Sequence, residues 1–281
     1  MTQHSLRTTR LSPLALLVAL LALVALTTSG VAVANSRHHD GAGRTSEPTN
    51  LTDAKDDVRA YYGDTVDATQ PAGYTHQASP TSDYAKAVHG VEHSAAKYLF
   101  RHRHAANRAI VLDVDDTSVL TYEYDANNDF GYIPSINATY VAHGFPAVYG
   151  MPALVNWAHS KGYAVFFITG RPDAQHADTA ANLQGRELDG ESYPFTTTGS
   201  LSPQGDSLFT KPADPATRPY LDCNSDGVPA CSTVEYKSGT RAYIESQGYD
   251  IVANFGDQFS DLNGGSADRG FKIPNPMYFL P

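Results

Sequence analysis

The stretch Ala109-Ile110-Val111-Leu112-Asp113-Val114-Asp115-Asp116-Thr117 decides the fold. An apolar run followed at once by two alternate carboxylates reads as a buried strand whose carboxyl end carries polar chemistry, and that end is where an open α/β sheet places its active groups. The pattern recurs twice. Ala164-Val165-Phe166-Phe167-Ile168 delivers Thr169, and Asp250-Ile251-Val252-Ala253 leads to Asn254, Gly256, Asp257 and Asp261. Packing alone explains this poorly, because burying ionised carboxylates without partners costs several kcal/mol or shifts their pKa.

Outward from these strands the chain alternates between strand and helix, as an α/β fold with a parallel sheet requires. Val91, Ala95, Tyr98 and Leu99 recur at helical spacing and predict a helix over about Tyr84 to Arg103. Pro152 opens a helix that Gly162 closes, Pro172 starts another that Gly185 closes, and Tyr236, Thr240, Tyr243 and Ile244 mark a third ended by Gly248. Residues 118–150, dense in Tyr, Asn, Phe and Gly, stand where such a fold hosts a cap. Residues 194–232 read as a loop-rich insertion with one strand near Ser207-Leu208-Phe209.

The first residues carry Arg7 and Arg10, then an apolar run from Leu14 to Leu26, then Ala32-Val33-Ala34. That order is expected of a secretory signal peptide cleaved after Ala34, and the run is shorter than the ~20 residues of a membrane span. Residues 35–52 read as a mobile tail, and the catalytic domain is expected over 53–281. The chain is acidic, with a formal net charge of −10 that becomes more negative once the two leader arginines are removed. Without a cluster of Lys and Arg, nucleic acid is excluded as a partner, and after cleavage nothing ties the chain to a membrane. Cys223 and Cys231 are the two cysteines; in an oxidising compartment one disulfide is the simplest reading, against two buried thiols.

The strand-end residues supply what transfer of a phosphoryl group requires: a nucleophile, charge neutralisation and a proton. Asp113 is the candidate nucleophile. Asp115 would protonate the leaving oxygen and then deprotonate the attacking water. Cleavage of a carbon–halogen bond, which also suits an aspartate nucleophile, needs no such donor. Mg²⁺ takes oxygen ligands and retains waters, so the carboxylates of Asp113 and Asp257 with the backbone carbonyl of Asp115 would suffice. Asp261, four residues past Asp257, returns to the same face as a further ligand or a holder of metal-bound water. Thr169, the amide of Gly170 and the start of the following helix could bind phosphate oxygens, with Arg171 adding substrate contacts. Lys237 opens a helix and would neutralise the phosphoryl group; Lys211 is a rival for that task.

On Asp113-Val114-Asp115-Asp116-Thr117, Ile168-Thr169-Gly170-Arg171, Tyr236-Lys237-Ser238 and Gly256-Asp257-Gln258-Phe259-Ser260-Asp261, the chain resembles the haloacid dehalogenase-like superfamily. Within it the likeness is to secreted acid phosphatases of subfamily IIIB, which include plant vegetative storage proteins. Asp129-Phe130-Gly131-Tyr132 and Ile273-Pro274-Asn275-Pro276-Met277-Tyr278 are similar too. The resemblance implies a Rossmann-like three-layer core with a small cap after the first motif. It also implies hydrolysis of small phosphate monoesters, Mg²⁺ dependence and an acidic optimum. Two alternatives stay open: a non-catalytic extracellular storage or binding protein on the same scaffold, and a phosphotransferase.

Weaker signals remain. Asp222-Cys223-Asn224-Ser225-Asp226-Gly227 alternates like a Ca²⁺ loop but has Thr233 where a bidentate Glu belongs, so a turn is the competing reading. Tyr122, Tyr124, Phe130, Tyr132 and Tyr140 either stack on a substrate ring or form the cap's own core. His143, His159 and His176 lack ligand spacing.

Overall fold

The computed structural model describes residues 48–185, 195, 201–223 and 230–281. The leader over 1–34, the tail up to residue 47 and most of the Asp222–Gly227 loop lie outside the described residues. Residues 49–281 fold as one unit.

Five parallel strands form the central sheet: β3 (Arg108–Leu112), β4 (Ala164–Pro172), β5 (Leu208–Lys211), β6 (Asp250–Gly256) and β7 (Gly270–Lys272), in the order β5-β4-β3-β6-β7. A separate antiparallel pair, β1 (Thr65–Val66) and β2 (His76–Gln77), precedes it. The order reverses direction at β3, so the next strand in sequence lies on one side and a later strand on the other. That reversal opens a crevice at the carboxyl ends of the strands, just where Asp113 stands.

The buried strands divide cleanly between two packed faces. Ile110, Leu112, Val165, Phe167 and Phe255 join one apolar cluster, while Ala109, Val111, Phe166, Ile168 and Ile251 join the other. Helices α2 (Asp83–His102) and α5 (Met151–Ser160) cover the first face through Val88, Ala95, Leu99, Leu154 and Val155; α7 (Thr233–Ser246) covers the second through Tyr236 and Ile244. The result is the expected three-layer α/β core. A register shift in the β3–β6 pairing places Ala109 opposite Ile251 but Ile110 opposite Ala253. The extra residue, Val252, restores Phe255 to the same face as Leu112.

The predicted helices at 84–103, after Gly150 and around Tyr236 stand within a few residues of expectation. Each starts where its chemistry says: Ser82 accepts from the amide of Ala85, and Ser232 forms a capping box with Glu235. Gly162 and Gly248 follow helices with φ of 84° and 92°.

Three expectations need correction. The tail ends earlier than residue 52, because α1 (Leu51–Tyr62) begins with Asn50 capping the amide of Thr52. Its Tyr62 is wholly buried against Tyr84 and Tyr122, a tertiary gain invisible in local periodicity. The strand expected to end at Thr169 continues to Pro172, which pairs with Lys211. The helix expected from Pro172 is therefore only a 3₁₀ turn (Asp173–Gln175) before α6 (His176–Leu183). Residues 118–150 contain α3 (Tyr122–Asn127) and α4 (Pro134–His143), too short to show a period. Their Tyr122, Tyr124 and Tyr140 are buried core, whereas Tyr132 is exposed. Cys223 and Cys231 are joined in a disulfide. Among the described residues no helix is long and apolar enough to cross a membrane.

Ile110, fully buried at the centre of the sheet, should lose about 2–5 kcal/mol of stability on replacement by Ala. Val66→Ala, at an exposed position, should stay within about 0.5 kcal/mol. Urea unfolding of both variants checks the contrast.

Candidate active site

Two strand ends and a short helix meet at one rim. Asp113 directly follows β3, its amide donating to the Phe255 carbonyl of β6 at 3.0 Å, and Asp257 directly follows β6. Asp261 lies on the single-turn helix α8 (Phe259–Leu262). One carboxylate oxygen from each of Asp113, Asp257 and Asp261 lies within 4.8 Å of the other two, and all three residues are buried. Lys237, in the second turn of α7, reaches between them and donates to Asp113 and Asp261. Lys211 makes no such contact among the described bonds; burial and then the neighbouring Lys237 lower its pKa.

The charges explain the geometry. Burial pushes the Asp113 carboxyl well above the usual carboxylate range; Lys237 opposes that shift, and Asp261 and Asp257 add to it. Burial, then Asp116 and Asp261, raise Asp257 to about 7. Burial alone would lower Lys237, but Asp113 and Asp261 more than offset it. Three carboxylates around one ammonium leave an excess of negative charge in a water-poor pocket, and every available donor is oxygen. That donor set fits a hard divalent cation. The residues that could hold it are Asp113, Asp257 and Asp261.

Asp115 itself is turned elsewhere. Its carboxylate receives Arg171 through Nε at 3.0 Å and through a second guanidinium nitrogen at 2.6 Å. Arg171 also donates to Thr179 at 3.0 Å. The buried guanidinium of Arg171, expected from the sequence to add substrate contacts, is paired with Asp115 in this structure. Thr169 is fully buried and its hydroxyl accepts from the Arg171 amide at 3.1 Å, with exposed Gly170 between them. Because β4 runs on to Pro172, Gly170, Arg171 and Pro172 separate Thr169 in sequence from the 3₁₀ turn that leads into α6.

Several residues with no assigned role complete the site. Asp116, at φ 52°, accepts from Thr121 through both its amide and its hydroxyl, and from the Tyr278 hydroxyl at 2.7 Å. The same Thr121 hydroxyl lies 2.8 Å from Asp125. One hydroxyl proton cannot serve two carboxylates at once; burial and then the nearby Asp125 carboxylate push the Asp116 carboxyl up to about 8. Gly256 allows the chain to turn past Asp261, whose side chain would collide with any Cβ there. Arg241 is almost fully buried and donates to the carbonyls of Asp261 at 2.6 Å, of Gly265 at 2.9 Å and of Asn263. It lies four residues after Lys237, on the same helix face, and that spacing is the signal that could have found it. Gln258, by contrast, shows no sequence signal beyond its motif.

A doubly wound parallel sheet with strand-end aspartates gathered around a lysine defines the class: α/β proteins of the haloacid dehalogenase type. The chain belongs to the HAD superfamily, subfamily IIIB (acid phosphatase), whose family model matches residues 52–281. It is 29% identical over 177 residues to the Stem 28 kDa glycoprotein of Glycine max, covering 60% of this chain and 59% of that protein. It is 28% identical over 175 residues to Acid phosphatase 1 of Solanum lycopersicum, covering 60% of this chain and 58% of that one. The match thus spans less than two thirds of the length of these curated relatives. The class C acid phosphatase of Bacillus anthracis shares the fold at a TM-score of 0.53 and 18% identity, covering 82% of this chain and 86% of that one.

Arg241→Met would keep the apolar stem while stranding three carbonyl acceptors. A loss of about 1.5–3 kcal/mol is expected, read by urea unfolding.

Proposed function

We propose that the protein is a secreted, Mg²⁺-dependent acid phosphatase that hydrolyses small phosphate monoesters through an aspartyl-phosphate at Asp113. The observation that carries this reading is the buried contact of Lys237 with Asp113 and Asp261 beside Asp257, at the carboxyl rim of the sheet. Membership of an acid phosphatase family supports it.

In the first half-reaction an Asp113 carboxylate oxygen attacks phosphorus, and the bond from phosphorus to the ester oxygen breaks. Asp115 passes its proton to that oxygen, so an alcohol leaves. Arg171 keeps the Asp115 carboxyl aimed and limits its rotation. In the second half-reaction water attacks the same phosphorus while Asp115 takes its proton; phosphate departs and the Asp113 carboxylate is restored. Lys237 balances charge on Asp113 throughout. Asp113, Asp257 and the Asp115 carbonyl, with Asp261 beside them, would hold a Mg²⁺ ion, which would supply electrostatic stabilisation of the phosphoryl oxygens. Thr169 and Gly170 line the same rim and are the proposed phosphate contacts.

Export is the reading of the basic, apolar and small-residue order at the start of the chain, and the Cys223–Cys231 disulfide supports it. A storage protein on this scaffold has no need of Asp113 and Lys237 together, and their retention favours catalysis.

Asp113→Asn should lower turnover of p-nitrophenyl phosphate by about a thousandfold or more with an unchanged circular dichroism spectrum; wild-type turnover by this variant would refute the proposal. Chelation with EDTA should abolish activity and added Mg²⁺ should restore it. Recovery of a phosphorylated alcohol when an alcohol is added would shift the reading from hydrolase to transferase.

A further inference from the structure

Beyond α8 and β7 the chain does not leave the site. From Ile273, whose amide donates to the Gly256 carbonyl at 2.9 Å, it runs without regular structure to Leu280 and returns across the loop that bears Asp257. Two side-chain amides converge there on one oxygen. Gln258 Nε2 and Asn275 Nδ2 each donate to Oδ2 of Asp257 at 2.7 Å. Among the described residues the other oxygen, Oδ1, has only the distant Thr117 hydroxyl at 3.3 Å.

An amide side chain can present either its oxygen or its NH₂, and the wrong end would face Asp257 with repulsion. The backbone of this same segment settles both cases. The amide of Leu280 donates to Gln258 Oε1 at 3.1 Å, and the amide of Met277 donates to Asn275 Oδ1 at 2.8 Å. Each backbone N–H occupies the oxygen end of its partner and leaves the NH₂ end for Asp257. Further ties hold the segment in place: Ser260 Oγ donates to the Leu280 carbonyl at 3.2 Å, and the Tyr278 hydroxyl donates to Asp116 at 2.7 Å.

We propose that Asn275–Leu280 is a positioning strap: it orients the Gln258 and Asn275 amides so that one oxygen of Asp257 is immobilised and the other is presented to a divalent cation. This rests on the metal reading of the proposed function and adds to it residues that touch neither metal nor substrate. A carboxylate with one oxygen saturated and one open is pre-organised for monodentate ligation, and partners that orient a ligand in this way tune metal affinity about 10–100-fold.

The test is calorimetric titration of Mg²⁺ into the metal-free full chain, compared with Asn275→Ala and with a chain ended after Tyr278, which lacks the Leu280 amide. Both variants should bind Mg²⁺ about 10–100-fold more weakly, while the metal-free melting temperature of Asn275→Ala stays near that of the parent. Equal Mg²⁺ affinity in Asn275→Ala and parent, whether or not the melting temperature falls, would reduce the segment to a packing element and overturn the proposal. Absence of Mg²⁺ binding by the parent itself would instead remove the metal reading, and this inference with it. Should the shortened chain fail to fold, Asn275→Ala decides alone.

Discussion

The structure depends on how negative charge is tolerated at a buried edge. Asp113, Asp257 and Asp261 come together in a buried cluster, where a charge without a partner is costly. Lys237 supplies the compensation from the protein, reaching from α7 to two of the three carboxylates. The arrangement needs β3 and β6 to be neighbours, so that residues 144 positions apart in numbering end at the same height. It also needs α7 to cover the face from which its second turn can enter the pocket. Strand order, helix placement and site electrostatics are one constraint seen at three scales.

Around that centre the polar groups fall into linked sets with distinct duties. Asp115 belongs with Arg171 and Thr179, a pairing that ties its carboxylate to the end of β4 and to α6. Asp116 belongs with Thr121, Asp125 and Tyr278, a hydrogen-bonded knot that ties down the turn after β3. Asp261 serves twice, since its side chain meets Lys237 and also accepts from the Gln258 amide at the start of α8. Adjacent aspartates in one motif thus acquire different work, because each faces a different neighbour from a different part of the chain.

Much of this was legible from residue order. Consecutive apolar residues named three of the strands, capping residues and glycines bounded the longer helices, and the polar residues directly after β3 and β6 marked Asp113, Asp257 and Asp261, which the fold brings together. What escaped reading had a common cause: it was short, or its meaning came from a distant partner. Helix α1 holds through Tyr62 packing on Tyr84 and Tyr122, and α3 is too short to display a period. Arg171 looked available to a ligand because nothing local says that Asp115, 56 positions earlier, will claim it. Arg241 and Gln258 look like ordinary surface residues until the chain closes over them.

The amino-acid sequence by itself determined that this is a parallel α/β protein with aspartate chemistry at its strand ends, because hydrophobic runs and their polar terminations are local and survive in one dimension. Only the tertiary structure decided which oxygen faces which cation, that Arg171 orients Asp115, and that Asn275 and Gln258 hold Asp257. Those assignments depend on distances of about 3 Å between groups far apart along the chain, and hydrogen bonding at that range is set by packing rather than by spacing.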